Sequence, residues 1–464
     1  MWRIASVLVF ASLCACGPVA KVSDTASSSG STGSHGSTGT NGTSGTNSST
    51  SNASSGSSGS HSSSSSTSTS NSSSTNSSSG GNTSGHSNSS STSSTGNSST
   101  ASGSSGSSGS SGTSGTTAWS AGQPGTCVSQ SIPANGQPVD TSNPTTVVGD
   151  GTAQSCTSSA LSAAVAQGGI ITFNCGSSPI TIPITSTLTP PIDHDTVIDG
   201  NRLITLDGQN QVQIINFNSP NFQALDTVLT LQHLTLINGK TTPTDAIPPA
   251  PAPCSQGWDD GEGGAVYMRD GNLVVIDCVF QNNHAAPLGP DTGGGAIYVL
   301  GSKHGATIVD STFDNNQASN AGAVGGLFCE LDIYNSVFTN NQAIGNGANS
   351  DDASQCSVIN NGQHEVGSGG NGGAIYSDGN DVNIFLCGDE IENNAAGQGA
   401  FGGGVFFTSD NFGGTLTILD TTMTGNTGGH WTSVSTGSTT NAGTAVGTNC
   451  KSLTISNSTV QGYP

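Results

Sequence analysis

GGAIYVLGSKHGATIVDSTFDNN, the 23 residues from Gly294 to Asn316, is one whole unit of the repeat that decides this fold. The unit opens on paired glycines, a small residue and an aliphatic-aromatic step. It closes on a β-branched run that ends in Phe313 and two asparagines. The opening recurs as GGAVY (Gly263 to Tyr267), GAVGGLF (Gly322 to Phe328), GGAIY (Gly372 to Tyr376), GGGVFF (Gly402 to Phe407) and GTAVGT (Gly443 to Thr448). The closing recurs at Leu273 to Asn283, Leu331 to Asn341, Val382 to Asn394, Leu416 to Asn426 and Leu453 to Gln461.

A unit this short cannot bury its own apolar face, so copies must stack. Stacking in one direction pairs equivalent strands in parallel and sets like residues above like. Alternation in LVVIDCVF and ATIVDSTF then places Val, Ile, Cys and Phe in columns inside the coil. Asn283, Asn316, Asn341, Asn394 and Asn426 form the corner, where Asn can take a left-handed conformation and bond the Asn of the next turn. Glycine pairs allow a sharp turn where a Cβ would collide. The excess length between copies falls between an Asn corner and the next glycine opening, so insertions are expected along one edge. The expected fold is therefore all-β, a right-handed parallel β-helix.

The GGA[ILV] openings and the FxxN corners (Phe280/Asn283, Phe313/Asn316, Phe338/Asn341) resemble the repeats of chlamydial polymorphic membrane proteins. The wider similarity is to the right-handed β-helix, pectate-lyase-like superfamily, and it covers about 155 to 464. TVIDG (Thr196 to Gly200), LITLDG (Leu203 to Gly208) and LTLQHLTLING (Leu229 to Gly239) supply earlier coils. Thr157 to Gln167, with Leu161 and Val165 four apart, reads as a short helix capping the open first coil. The last coil shows no comparable cap, and no barrel-forming segment follows Val460.

The N-terminal part is of another kind. Arg3, the apolar run Ile4 to Leu13 and the tetrad Leu13, Cys14, Ala15, Cys16 resemble a bacterial lipoprotein leader over residues 1–16. The resemblance implies a diacylated Cys16; Cys14 departs from the usual small residue at the second position. Gly17 after the cysteine implies sorting to the outer membrane. Residues 17–118 are almost wholly Ser, Gly, Thr and Asn, too poor in apolar groups to fold. As a flexible tether this stretch reaches about 50 to 60 Å. Residues 119–154 are read as an N-terminal extension and 155–464 as the β-helix domain. Arg3, Lys21 and Asp24 leave the first 118 residues at +1, so the remainder carries −23 of the chain's −22. So acidic a domain has no basic surface for nucleic acid. Nine of the 11 cysteines lie beyond Cys16 in an exported chain, which points to an oxidising compartment. Cys156 to Cys175 is the bridge expected; the others are not paired from sequence.

Fold alone does not choose between lyase, hydrolase and adhesin. The acid-base candidates are Asp259, Asp260 and Glu262, then Asp351 with Asp352, and Asp378 with Asp381; each competes with an ordinary solvated turn. Lys303 and His304, with Arg269, are the plausible cations for a polyanionic substrate. Trp258 and Trp431 lie in insertions, where they either stack on sugar rings or fold back over the coil. Asp259, Asp260 and Asp291 would be the calcium site, if one exists, although no Gly-Gly-x-Gly-x-Asp repeat accompanies them. The reading is an outer-membrane lipoprotein that binds glycan or another surface component through its loop-bearing edge. The alternatives are a polysaccharide lyase or glycoside hydrolase and a structural envelope protein.

Overall fold

A computed structural model describes residues 125–246, 257–345, 358–359, 363–364, 369–397, 400–409, 411–428, 439–442 and 444–462. The expected leader, the lipid site Cys16 and the tether fall outside them, as do Trp431, Asp351 and Asp352.

The chain forms a parallel β-helix. Openings build an eight-stranded sheet, with strands Ile215–Asn218, Val266–Arg269, Ile297–Leu300, Val324–Leu327, Ile375–Gly379, Val405–Ser409 and Val446–Cys450 in parallel succession. Closings build a 17-stranded sheet, and its register sets Phe280, Phe313 and Phe338 opposite one another. Their rings stack at 4.9 and 4.7 Å, almost parallel. A third face holds the short ladder Gln317–Ala318 on Gln342–Ala343, extended by single parallel bridges through His284 to Lys240 and through Ala395 to Thr427.

Each closing was read as one alternating strand, but it folds as two with a left-handed residue between them: Asp277, Asp310, Asn335, Gly388, Asp420 and Asn457 have φ of 47 to 74°. The bend resets the alternation. Leu273, Val275, Cys278 and Phe280 enter the core, whereas Val274 and Ile276 face outward. The asparagine corner is divided as well. The left-handed residue is the first of each pair, Asn282, Asn315, Asn340 and Asn393, with Gly425 in the last copy. The second is buried and forms the ladder: the side chain of Asn316 donates to Asn341 Oδ1 at 3.0 Å and accepts from Asn283 at 2.9 Å.

Thr157 caps the helix Ser158–Gln167, accepting from the Ala160 amide, and the helix buries Leu161, Ala164 and Val165 against the first coil. Cys156 and Cys175 are joined, as expected. At the other end, Thr439–Ala442 runs antiparallel along Val446–Cys450, so the edge of the opening sheet is covered where no cap was expected.

The segment read as an extension is, from Gly125 onward, a strap lying along the outside of the closing sheet. Cys127 is bonded to Cys387, a link the sequence did not reveal. The Val128 and Ser129 amides donate to Asp420, and Ile132 packs among Val274, Ile276, Val309 and Tyr334. Asn135 reaches Thr307, Val139 exchanges bonds with Gln232, and Thr141 donates to Asp199. The strap thus climbs from late coils to early ones, then joins the closing sheet as Thr146–Val148.

Candidate ligand-binding face

Side chains alternate along each opening strand, so Ile297 and Val299 fill the coil while Tyr298 points away from it. The register aligns an outward column of Tyr267, Tyr298, Gly325, Tyr376, Phe406 and Gly447. Beside it runs Arg269, Leu300, Leu327, Asp378, Thr408 and Asn449. In a bare solenoid both columns would meet solvent, yet Tyr298, Tyr376 and Phe406 are 1, 4 and 6% exposed. The connections after the Asn corners cover them: Phe401 and Ala321 pack on Tyr376 and Phe406, and the Tyr298 hydroxyl donates to the Asp291 carbonyl at 2.6 Å. Gly325 matters here, because a Cβ would strike the Tyr298 ring at 2.5 Å.

Insertions and opening sheet therefore make one layer, with Tyr267, Arg269 and Glu262 half-buried at its early end. Burial, with Asp260 and Asp259 beside it, pushes the Glu262 carboxyl up to about 7. Burial likewise raises Asp259, helped by Asp245 and Asp260. Tyr298 is raised well above the usual phenol range by burial and then by Glu262, Asp291, Tyr267 and Asp378. Tyr376 donates to Asp378 at 3.2 Å, and the buried Arg269 Nε atom has no hydrogen-bond partner among the described residues.

The structure divides the sequence candidates. Asp260 is engaged in holding its own loop: its carboxylate accepts from the Thr244 amide at 2.8 Å, the Thr244 hydroxyl at 2.9 Å and the Asp245 amide at 2.9 Å. Asp259 and Glu262 are its neighbours, and Trp258 is half-buried with its amide on the Leu288 carbonyl. Lys303 and His304 do not join this group. They sit in the turn after Leu300, at the far end of a strand, and both bind Asp226 Oδ1, at 2.7 and 3.0 Å. Asp378 and Asp381 separate too: Asp378 faces the tyrosines, whereas Asp381 lies in the next turn and accepts from Asn411.

Asp259, Asp260 and Asp291 do not bring three side-chain oxygens within reach of one ion. Among the described residues the only group of three close enough to share one ion is Cys127, Cys387 and Asp420, whose two sulfurs are spent in the disulfide. The outward tyrosines escaped sequence reading, although the signal was present as the terminal Tyr of GGAVY and both GGAIY openings.

What the fold and site define is a parallel β-helix with a loop-roofed, acidic and tyrosine-rich outer face. Compared with known protein families, curated proteins and solved structures, the chain matches none.

Proposed function

We propose that this chain is a lipid-anchored envelope protein whose β-helix binds glycan or another surface component at the loop-roofed face. The observation that carries this reading is the segregation of the insertions. The coil repeats, while the long described connections emerge after the Asn corners and close over one sheet, as a scaffold that varies its recognition loops does. Half-buried Trp258 and Tyr267 offer ring faces at the rim, and Arg269, Asp259 and Glu262 offer polar contacts beside them. The tetrad ending in Cys16 supports the lipid anchor, and the likeness of the FxxN repeats to chlamydial polymorphic membrane proteins supports outer-membrane display. The superfamily likeness remains the reason to consider a right-handed coil.

A second reading, polysaccharide cleavage, is favoured by Glu262 alone. A carboxyl held at about 7 is suited to donate a proton to a leaving oxygen. One experiment separates the readings: the full chain is incubated with neutral and acidic polysaccharides, with and without EDTA, beside Glu262→Gln and Trp258→Ala. Retention without products, weakened about tenfold or more by Trp258→Ala, supports binding. Products that disappear in Glu262→Gln move the assignment to cleavage. Neither retention nor products would sink both. Cys16→Ser, followed by fractionation of the envelope, tests the anchor separately.

A further inference from the structure

The strap runs against the order of the coils. Residue 125 lies beside Gly388, late in the solenoid, but twenty residues later the chain is starting the first coil. Tension arriving through the chain before Gly125 would act on the strap at its late end and peel its contacts one after another. Those contacts are hydrogen bonds at exposed or half-buried positions, one to three at a time, such as Asn135 on Thr307 and Thr141 on Asp199. Bonds broken in sequence resist far less than bonds loaded together. The first strong link met from that side is the Cys127–Cys387 bond, placed before nearly all of them.

We propose that this disulfide makes the strap a clasp against tension, which passes the pull of the N-terminal chain straight to the coil of Cys387. Everything between the two cysteines then belongs to a closed covalent loop that tension cannot lengthen. That loop holds the helix cap, the early coils, and the Trp258 to Glu262 rim. It also keeps Ile132 over the apolar stripe of Val274, Ile276, Val309 and Tyr334. The proposal takes from the tethered-display reading only the source of the tension; its mechanics stand whether or not a glycan binds.

The test is single-molecule pulling of the full chain between Pro124 and Gly462. With the disulfide intact, extension should stop near 260 Å at about 3.5 Å per residue, because only the 75 residues after Cys387 can lengthen. In Cys127→Ser/Cys387→Ser the first event should be a short step of about 70 Å, as the 21 residues Gly125 to Thr145 peel. A further roughly 780 Å should follow from the loop of 260 positions that the bond had closed, less the strap already released and the 19 positions that Cys156–Cys175 still closes. The same two phases should follow brief treatment of the folded parent with a dithiol, which leaves two cysteine thiols and is itself oxidised to a disulfide. That arm serves if the double variant does not fold. A parent that extends to the full length without reductant overturns the proposal. So does an opened strap whose first event is the unravelling of whole coils.

Discussion

At the scale of single residues, two buried ladders hold successive turns together, one amide and one hydroxyl. Asn316 is fully buried, and its side chain serves three neighbours: Asn283 above, Asn341 below and the Phe280 carbonyl. Asn316→Ala strands several buried groups at once and should cost about 3 kcal/mol in urea unfolding; a cost below about 1 would show that the ladder is decorative. The second ladder lies at the closing bend. Ser311, Ser336, Thr421 and Ser458 each accept an amide from the coil before and donate to the carbonyl two residues back. Asp389 occupies the same column, accepting the Ser336 amide at 2.8 Å, with Oδ2 left unbonded. Full burial drives this carboxyl well above the ordinary range, so folding favours its protonated form. A raised carboxyl binds its proton more tightly folded than unfolded. Its penalty therefore grows as pH climbs past the ordinary carboxylate range, where only the unfolded chain ionises. Asp389→Ser should be more stable than the parent at pH 7, with the gap narrowing toward pH 4; a gap independent of pH would refute the buried proton.

Among the elements, the double glycine has two separate causes. In the first position the backbone turns left-handed, with φ of 62 to 69° at Gly263, Gly294, Gly372 and Gly402. At the second, a Cβ would overlap the next coil's backbone: Gly295 meets the carbonyl of Gly322, and Gly322 that of Gly373. At the first position a Cβ would crowd the carbonyl three residues on in its own coil, yet Ala321 occupies that place at φ 50°; at the second the obstacle is the neighbouring coil. Gly295→Ala should therefore cost about 1 to 3 kcal/mol or more and splay the two coils it joins. Gly294→Ala should cost about 1 to 2. Thermal melts of the two variants check the order, and equal losses would mean that conformation alone accounts for both glycines.

For the whole molecule, the two disulfides act over different ranges. Cys156–Cys175 closes a loop across 19 positions at the helix cap, and Cys127–Cys387 one across 260. Chain-entropy reasoning gives about 3 kcal/mol for the short loop and about 5 for the long one. Cys127→Ser/Cys387→Ser should accordingly lower the unfolding free energy more than Cys156→Ser/Cys175→Ser. It should also increase hydrogen exchange along 125–141 in the native state, which the other pair should leave untouched. The strap closes over the apolar stripe outside the coil, so its release should also raise binding of an apolar dye.

The sequence by itself determined the parallel stack, the capping helix, the short-range disulfide and the edge from which the insertions leave. The stack and that edge follow from spacing repeated copy after copy, which turns a weak local preference into a strong one, whereas the helix and the disulfide are legible within one short segment. Sequence could not reach what depends on where the non-repeating segments return. The strap, the Cys127–Cys387 bond and the burial of Tyr298 and Tyr376 join residues far apart in the chain, with no period to reveal them. The candidate site was legible in the same measure. Asp259 and Glu262 do come together because they are neighbours in one loop, whereas Lys303 and His304 were assigned to chemistry before the length of an opening strand was known to separate them. Only the folded chain decided which acid is engaged in its own turn and which has its carboxyl pushed up toward neutrality, because burial and hydrogen bonding are properties of the assembled surface.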